Sequence, residues 1–368
     1  MASSTSPLPP LLDRWMRDVL DGPLPSERRA TCDDCAMCPQ PGETTPDHAV
    51  FYNPTTKCCT FMPTLWNFQV GALLADASPE AAAGRRTVEA RLEAGIAVSP
   101  LGCLRPPVYQ AAYGLITGSF GQVPSMRCPH YLEEGGRCGV WRARESTCAT
   151  WFCKHERGAL GKEFWERVHH LLGLAEEAVA RWVVLELDVG SSTLASLLPI
   201  PAVAQLTALQ PEDFEGARTP AARARAWGQW AGRERAFFLE AHALVAQLRW
   251  EDVRALGGVE LWAAERVVQS VFARHRSRAL PRRLVGGYVE SLALPDGGML
   301  VTSYAYTDPL RLSPMVVAAL RFFDGRPVAA ARAACEAEAG VLLDPALVRR
   351  LVDFGILEEP DGLDPPGA

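Results

Sequence analysis

RCPHYLEEGGRCGVWRARESTCATWFCKHERG, residues 127–158, carries Cys128, Cys138, Cys148 and Cys153. Loops of about ten residues between sulfurs are ordinary in metal knots, where each loop delivers a thiolate to a shared cation. Working outward, CDDCAMCP at 32–39 adds Cys32, Cys35 and Cys38 as C-x2-C-x2-C, and TKCCTF adds adjacent Cys58 and Cys59. The chain has 11 cysteines, and all but Cys335 fall before residue 154. One region therefore depends on sulfur and the rest does not.

Short C-x2-C spacing lets a tight turn aim two thiolates at one point. The alternatives are a redox thiol network and unconnected thiols. The tryptophan-glycine-proline context of a thioredoxin-type site is missing. The nine candidate metal ligands are Cys32, Cys35, Cys38, Cys58, Cys59, Cys128, Cys138, Cys148 and Cys153, enough for two four-thiolate sites with one left over. His130 and His155, each two residues after a cysteine, could complete mixed sites. Cys58 and Cys59 would point apart in an extended segment and so could serve different metals or opposite ends of one cluster. Thiolate softness admits either zinc or an iron–sulfur cluster. The 32–39 run resembles half a ferredoxin motif but lacks its fourth cysteine before the proline. Cys103 has no close partner in sequence, and Cys335 reads as a small buried side chain.

On these residues the chain resembles the YkgJ-like cysteine-cluster proteins, a zinc- or iron-chelating family. The likeness covers about residues 30–157 and is carried by Cys58, Cys59, Cys128, Pro129, Tyr131, Gly136, Cys138, Trp141, Arg144, Cys148 and Cys153. It implies a bound metal cluster and no settled activity. Two features depart from the family pattern: the extra cysteine run at 32–38, and Arg144-Glu145-Ser146 where Arg-Pro is usual. Related clusters occur in flagellin lysine methylases. The glycine-rich strand-to-helix turn that would hold a methyl donor is not found here.

The rest of the first region is read as support for the cluster. Phe61, Leu65, Trp66 and Phe68 supply an apolar wall or ordinary core, and Val70, Leu73 and Leu74 continue as a helix face. Lys57, Lys154 and Arg157 flank cysteines, where cations lower thiol pKa, or they simply face solvent. His169 and His170 read as packing or surface.

Beyond the cysteines, Phe164, Val168, Leu171, Leu172, Ala175, Val179, Trp182 and Val183 recur at three and four, which predicts a helix over 159–187. Thr219 with Pro220 starts a long helix running through Trp227, Trp230, Phe237, Ala241, Leu244, Val245 and Leu248. Another is predicted from about Val259 to Ser277. Residues 284–306 read as two strands joined at PDGG. Three short helices follow, with Ser313 capping the first and Asp344-Pro345 opening the third. FGILEE returns as a short strand.

Residues 284–360 resemble the winged-helix modules of PqqD-like domains, which implies docking of a leader peptide beside a modifying enzyme. DNA, the usual alternative for such a module, is disfavoured. Arg349 and Arg350 stand next to Asp344 and Asp353, the tail is acidic, and the net charge is -6, whereas phosphate recognition wants a positive face.

The expected fold is mainly α, with a cysteine-rich metal-bound N-terminal region and a small α+β winged-helix C-terminal domain. The expected division is 1–157 for the cysteine cluster, 158–280 for a helical domain, 281–360 for the winged helix and 361–368 for a disordered tail. No secretory signal or apolar span is evident, so a cytoplasmic protein without membrane contact is expected. The functional expectation is a metalloprotein holding an iron–sulfur or zinc cluster. It would transfer electrons, or modify a peptide or protein partner docked at the winged helix. A non-catalytic zinc-stabilised interaction protein, a redox sensor and a methylase relative are the alternatives. No catalytic residue is assigned.

Overall fold

The computed structural model describes residues 6–27, 32, 35–38, 52–198 and 215–360. The tail 361–368 and Asp33, Asp34 and Pro39 lie outside them. The chain is mainly helical, with small antiparallel sheets. It divides into two compact units, residues 1–151 with 168–267, and residues 152–167 with 268–368. Among the described residues no helix is long and apolar enough to cross a membrane.

The first unit begins with α1 (Pro10–Val19), which buries Leu12, Trp15, Met16 and Val19. α2 (Asn67–Ala75) buries Phe68, Val70, Leu73 and Leu74. The sequence reading put Leu65 and Phe68 in a wall or core, and both are fully buried. Asn67 fixes the start of α2, its Nδ2 donating to Pro100 O (3.0 Å) and Ala180 O (2.9 Å). The three-stranded sheet beside it orders β1 (Leu65–Trp66), β3 (Gly102–Cys103) and β2 (Val98–Ser99). α3 (Ala82–Ala94) ends on left-handed Gly95, and α4 is Pro107–Leu115. A second, two-stranded sheet pairs β4 (Tyr131–Leu132) with β5 (Arg137–Cys138). α5 (Ser146–Thr150) follows.

α6 (Gly158–Glu186) matches the predicted periodicity, and Phe164, Val168, Leu171, Leu172, Ala175, Val179 and Val183 are all buried. Trp182 departs from that stripe: it is half-buried, and its Nε1 donates to Glu186 Oε1 (2.9 Å). After α7 (Ser191–Leu197), the expected single helix from Pro220 is broken into α8 (Pro220–Trp227) and α9 (Glu234–Val245). Gly228 adopts φ +52 at the break, where an added Cβ would fall 2.5 Å from Val189 O. The apolar residues nevertheless pack across it, with Trp227 edge-on to Phe237 and Phe238 at 5.5 Å. α9 presses on α2 at Gly71, where a Cβ would sit 1.8 Å from Phe238 O. α10 (Trp250–Arg276) is broken by a non-helical Gly258, and its segment past the break begins at Val259 as expected, with an unforeseen segment ahead of it.

In the second unit, β6 (Arg283–Gly286) pairs antiparallel with β10 (Asp324–Pro327) and β11 (Leu357–Glu358). The hairpin at PDGG joins β7 (Glu290–Ala293) to β8 (Met299–Thr302), with Leu292 opposite Leu300, and β9 (Leu310–Leu312) extends it. The region thus has a separate strand ahead of the predicted hairpin. Its three helices are α11 (Pro314–Ala319), α12 (Val328–Ala339) and α13 (Pro345–Asp353). Ser313 and Asp344 cap α11 and α13, accepting from Val316 N (3.3 Å) and Ala346 N (2.7 Å). Leu284, Val301, Phe322, Ala331, Cys335, Leu343, Leu351 and Leu357 form the core.

Candidate metal centre

All eleven cysteines are free thiols. Eight of the nine candidates belong to the first unit. Cys153 belongs to the second, where it is half-buried. Several short backbone links bring the segments carrying the eight together. Cys128 N donates to Cys59 O (2.6 Å), and Tyr52 N to Met37 O (2.7 Å). β4–β5 pairing sets Cys138 opposite Tyr131, and Gly139 N donates to His130 O (2.8 Å). Lys57 Nζ donates to Cys32 O (2.6 Å) and Gly136 O (2.8 Å), strapping the 32–38 loop to the β4–β5 turn. Glu145 caps α5, accepting from Thr147 N (2.6 Å) and Cys148 N (3.2 Å).

α3 seats against this assembly because two glycines meet: a Cβ on Gly84 would lie 1.7 Å from Gly139 O. Any side chain at either position would push Cys138 and α3 apart.

The thiols sense one another electrically. Burial, followed by the charge of Cys58, raises Cys32. Burial pushes Cys138 up to about 12, with Cys32 and Cys128 adding to the rise. Cys128 is likewise pushed up to about 12 by burial, with Cys58 contributing. Cys148 is raised well above its usual value by burial, Glu145, Cys138, Cys128 and Cys58. In two pairs the neighbouring sulfur shifts the thiols in opposite directions. The contact between Cys38 and Cys35 lowers Cys35 and raises Cys38, and that between Cys59 and Cys58 lowers Cys58 and raises Cys59. The lowered member of each pair is the incipient thiolate.

Three cations act on this network, Arg91 at Cys128 and two others more widely. Lys57 favours thiolate at Cys32, Cys35 and Cys38. Arg144 does so at Cys32, Cys58 and Cys138. Arg144 is buried, lies 3.4 Å over the Trp141 ring and donates from Nη2 to Pro7 O (2.6 Å). Its place in the cysteine motif marked it in the sequence, but its electrostatic role was not foreseen.

His130 is fully buried two residues after Cys128. Thr87 Oγ1 donates to Gly84 O (2.7 Å), so its single proton is committed, and it accepts from His130 Nδ1–H (2.8 Å). That fixes the tautomer and leaves Nε2 as an unprotonated nitrogen, buried and without a partner. Burial holds the imidazole down at about 3. A buried lone pair with its other nitrogen anchored is how a metal-binding histidine is usually held.

Among the described residues, no three His, Cys, Asp or Glu side chains are already arranged as a metal site. The donor chemistry nonetheless fits a thiophilic cation. None of the sulfurs is in a disulfide, and several feel one another's charge.

Other sequence candidates fall elsewhere. Cys103 lies in β3, paired with Leu65 and Val98, and burial pushes its thiol up to about 11. Arg157, expected beside thiols or in solvent, is instead buried in the second unit against Asp353. His155 is also in that unit, its ring 6.0 Å from Tyr304. His169 is half-buried and His170 exposed.

Sequence reasoning missed Glu176. It is fully buried and accepts from Gln69 Nε2 (2.7 Å) and Ser146 N (3.0 Å), and burial pushes it up to about 8, with Glu145 adding to the rise. The signal was present: Glu176 stands on the apolar stripe of α6, four residues after Leu172 and three before Val179.

No family model, curated protein or solved structure matches the chain.

Proposed function

We propose that the protein is a thiolate metalloprotein whose first unit holds zinc or an iron–sulfur cluster. The observation that carries this reading is the gathering of eight cysteines from separate segments into one unit through short backbone and Lys57 links. Cys32, Cys35, Cys38, Cys58, Cys59, Cys128, Cys138 and Cys148 are the ligands to draw on, with His130 Nε2 as a nitrogen donor. Cys153 remains a ninth candidate. A bound cluster would supply one-electron transfer, and zinc would supply structural closure or Lewis acidity. The chain's own residues bury Cys38 and Cys128, half-bury five others and leave Cys58 exposed, and Lys57 and Arg144 favour thiolate.

The second unit is the proposed docking module for a peptide or protein. Its hairpin and three helices agree with the winged-helix reading. Arg349 and Arg350 of α13 are already engaged, the first with Asp353 and Ala279 O, the second over the Phe354 ring. That engagement favours protein over DNA as the partner.

Anaerobic purification followed by quantification of zinc, iron and acid-labile sulfide tests the metal reading. Iron with matching sulfide supports an electron-transfer or redox-sensing centre, and tightly held zinc alone supports a structural knot. Protein free of both, and unable to take up either when reduced, overturns the proposal.

A further inference from the structure

An open cleft of about 580 Å³ lies along α3 and is lined by Met62, Arg86, Thr87, Arg91, Pro129 and Leu132, with alanines of the same helix face between them. That volume is typical of small-molecule sites. Two arginines stand in a lining that is otherwise mainly apolar, and no acid is among the described lining residues. Arg91 is held in place by a hydrogen bond from Nη2 to Leu104 O (2.6 Å), while its Nη1 is buried and has no partner. A desolvated guanidinium N–H without an acceptor is unstable unless something brings one.

We propose that this cleft binds a small organic acid, its carboxylate accepting from Arg91 Nη1 with Arg86 alongside, and its apolar body lying along Met62, Leu132 and the α3 alanines. A carboxylate matches a guanidinium in charge and geometry. The apolar lining selects a hydrocarbon body over a sugar or nucleotide. Pro129 carries the cleft to the residue next to Cys128, and Arg91 acts on both Cys128 and His130. The acid site does not depend on the thiols holding a metal. If they do, its occupant sits beside the cluster.

The test is calorimetric titration of the full-length protein with 3-phenylpropionate and, separately, with 3-phenylpropan-1-ol. The acid is expected to bind at least about tenfold more tightly than the alcohol. Arg91→Met should abolish that preference. Since Arg91 also holds Leu104, Ala90→Trp provides a second arm: it fills the exposed cleft wall while keeping both arginines and should block both compounds. No binding of the acid, equal binding of acid and alcohol, or acid binding unchanged in Ala90→Trp would each overturn the proposal. None of these results depends on metal content, so this proposal and the metal reading fail separately.

Discussion

Asp353 allows a sharp energetic test of the second unit. Its carboxylate accepts from Arg157 Nε (2.8 Å) and Nη2 (2.5 Å), and from Arg349 Nε (2.8 Å) and Nη2 (2.5 Å). Arg157 is 4% and Asp353 7% exposed, and Arg157 Nη1 also reaches the carbonyls of His275 and Ser277. Asp353→Asn keeps the shape but leaves two cations facing a neutral amide. Breaking a buried pair in this way costs about 3–5 kcal/mol. Arg157→Met removes one cation and leaves Asp353 neutralised by Arg349. Its cost is mainly the lost donors to buried acceptors, about 1–3 kcal/mol. The order is therefore Asp353→Asn worse than Arg157→Met, and the double variant no worse than Asp353→Asn alone, because removing Arg157 relieves the uncompensated charge. Hydrogen exchange of the α13 amides reads this unit by itself, and urea midpoints at constant m-value give the free energies. If Arg157→Met is the more damaging substitution, or if the two costs simply add, the carboxylate is not the hub of this contact.

Glu176 titrates at about 8 in the fold against 4.5 ordinarily, so the native state keeps a proton that the unfolded chain has lost. Stability falls as pH rises through that window, and Glu176→Gln should gain on the native protein between pH 5 and pH 8 by at least ~1 kcal/mol in urea denaturation. A constant gap would show that Glu176 is ionised throughout. His275 behaves in the opposite sense. Burial, then Arg157, holds it down at about 4, so the unfolded state gains a proton first as pH falls below about 6.5 and stability drops toward pH 4; His275→Leu should flatten that drop in thermal melts. Gly84→Ala forces a methyl into Gly139 O; overpacking of this kind costs ~1–3 kcal/mol, and the variant should lose metal on gel filtration while α9 and α10 keep their exchange protection. Unchanged metal retention in Gly84→Ala would mean the glycine contact does not position Cys138.

Much of the helical frame was legible because burial repeats along the chain. The stripe from Phe164 to Val183 is set by one helix face, and a local rule suffices to read it. The break at Gly228 was hidden because Trp227, Trp230 and Phe237 are buried on both sides of it, so apolar spacing runs through the interruption. What fixes the break is the approach of Gly228 to Val189 O, a contact between distant segments. The two-residue strands β1 to β5 are too short to show alternation. Cysteine spacing singled out the thiol region because C-x2-C spacing is a local feature. Arg157 could not be read from its neighbours, since its partner Asp353 lies 196 residues away. Glu176 was legible in principle, as an acid on an apolar stripe, and went unread because the stripe alone sufficed to predict the helix.

The charge balance of the thiol region explains why a cation matters to it. Burial is the first cause raising Cys32, Cys128, Cys138 and Cys148, and each further ionisation raises the remaining thiols. Lys57, Arg144 and, at Cys128, Arg91 are the cations that act on this network, and all three already donate hydrogen bonds to carbonyls. They can balance about three thiolates at interior dielectric, where unpaired charge is most costly. Four thiolates therefore need a positive charge from outside, and its arrival must expel protons. Affinity for zinc or iron should climb steeply with pH. A metal affinity flat from pH 6 to pH 8 would mean that the thiols are not the ligands.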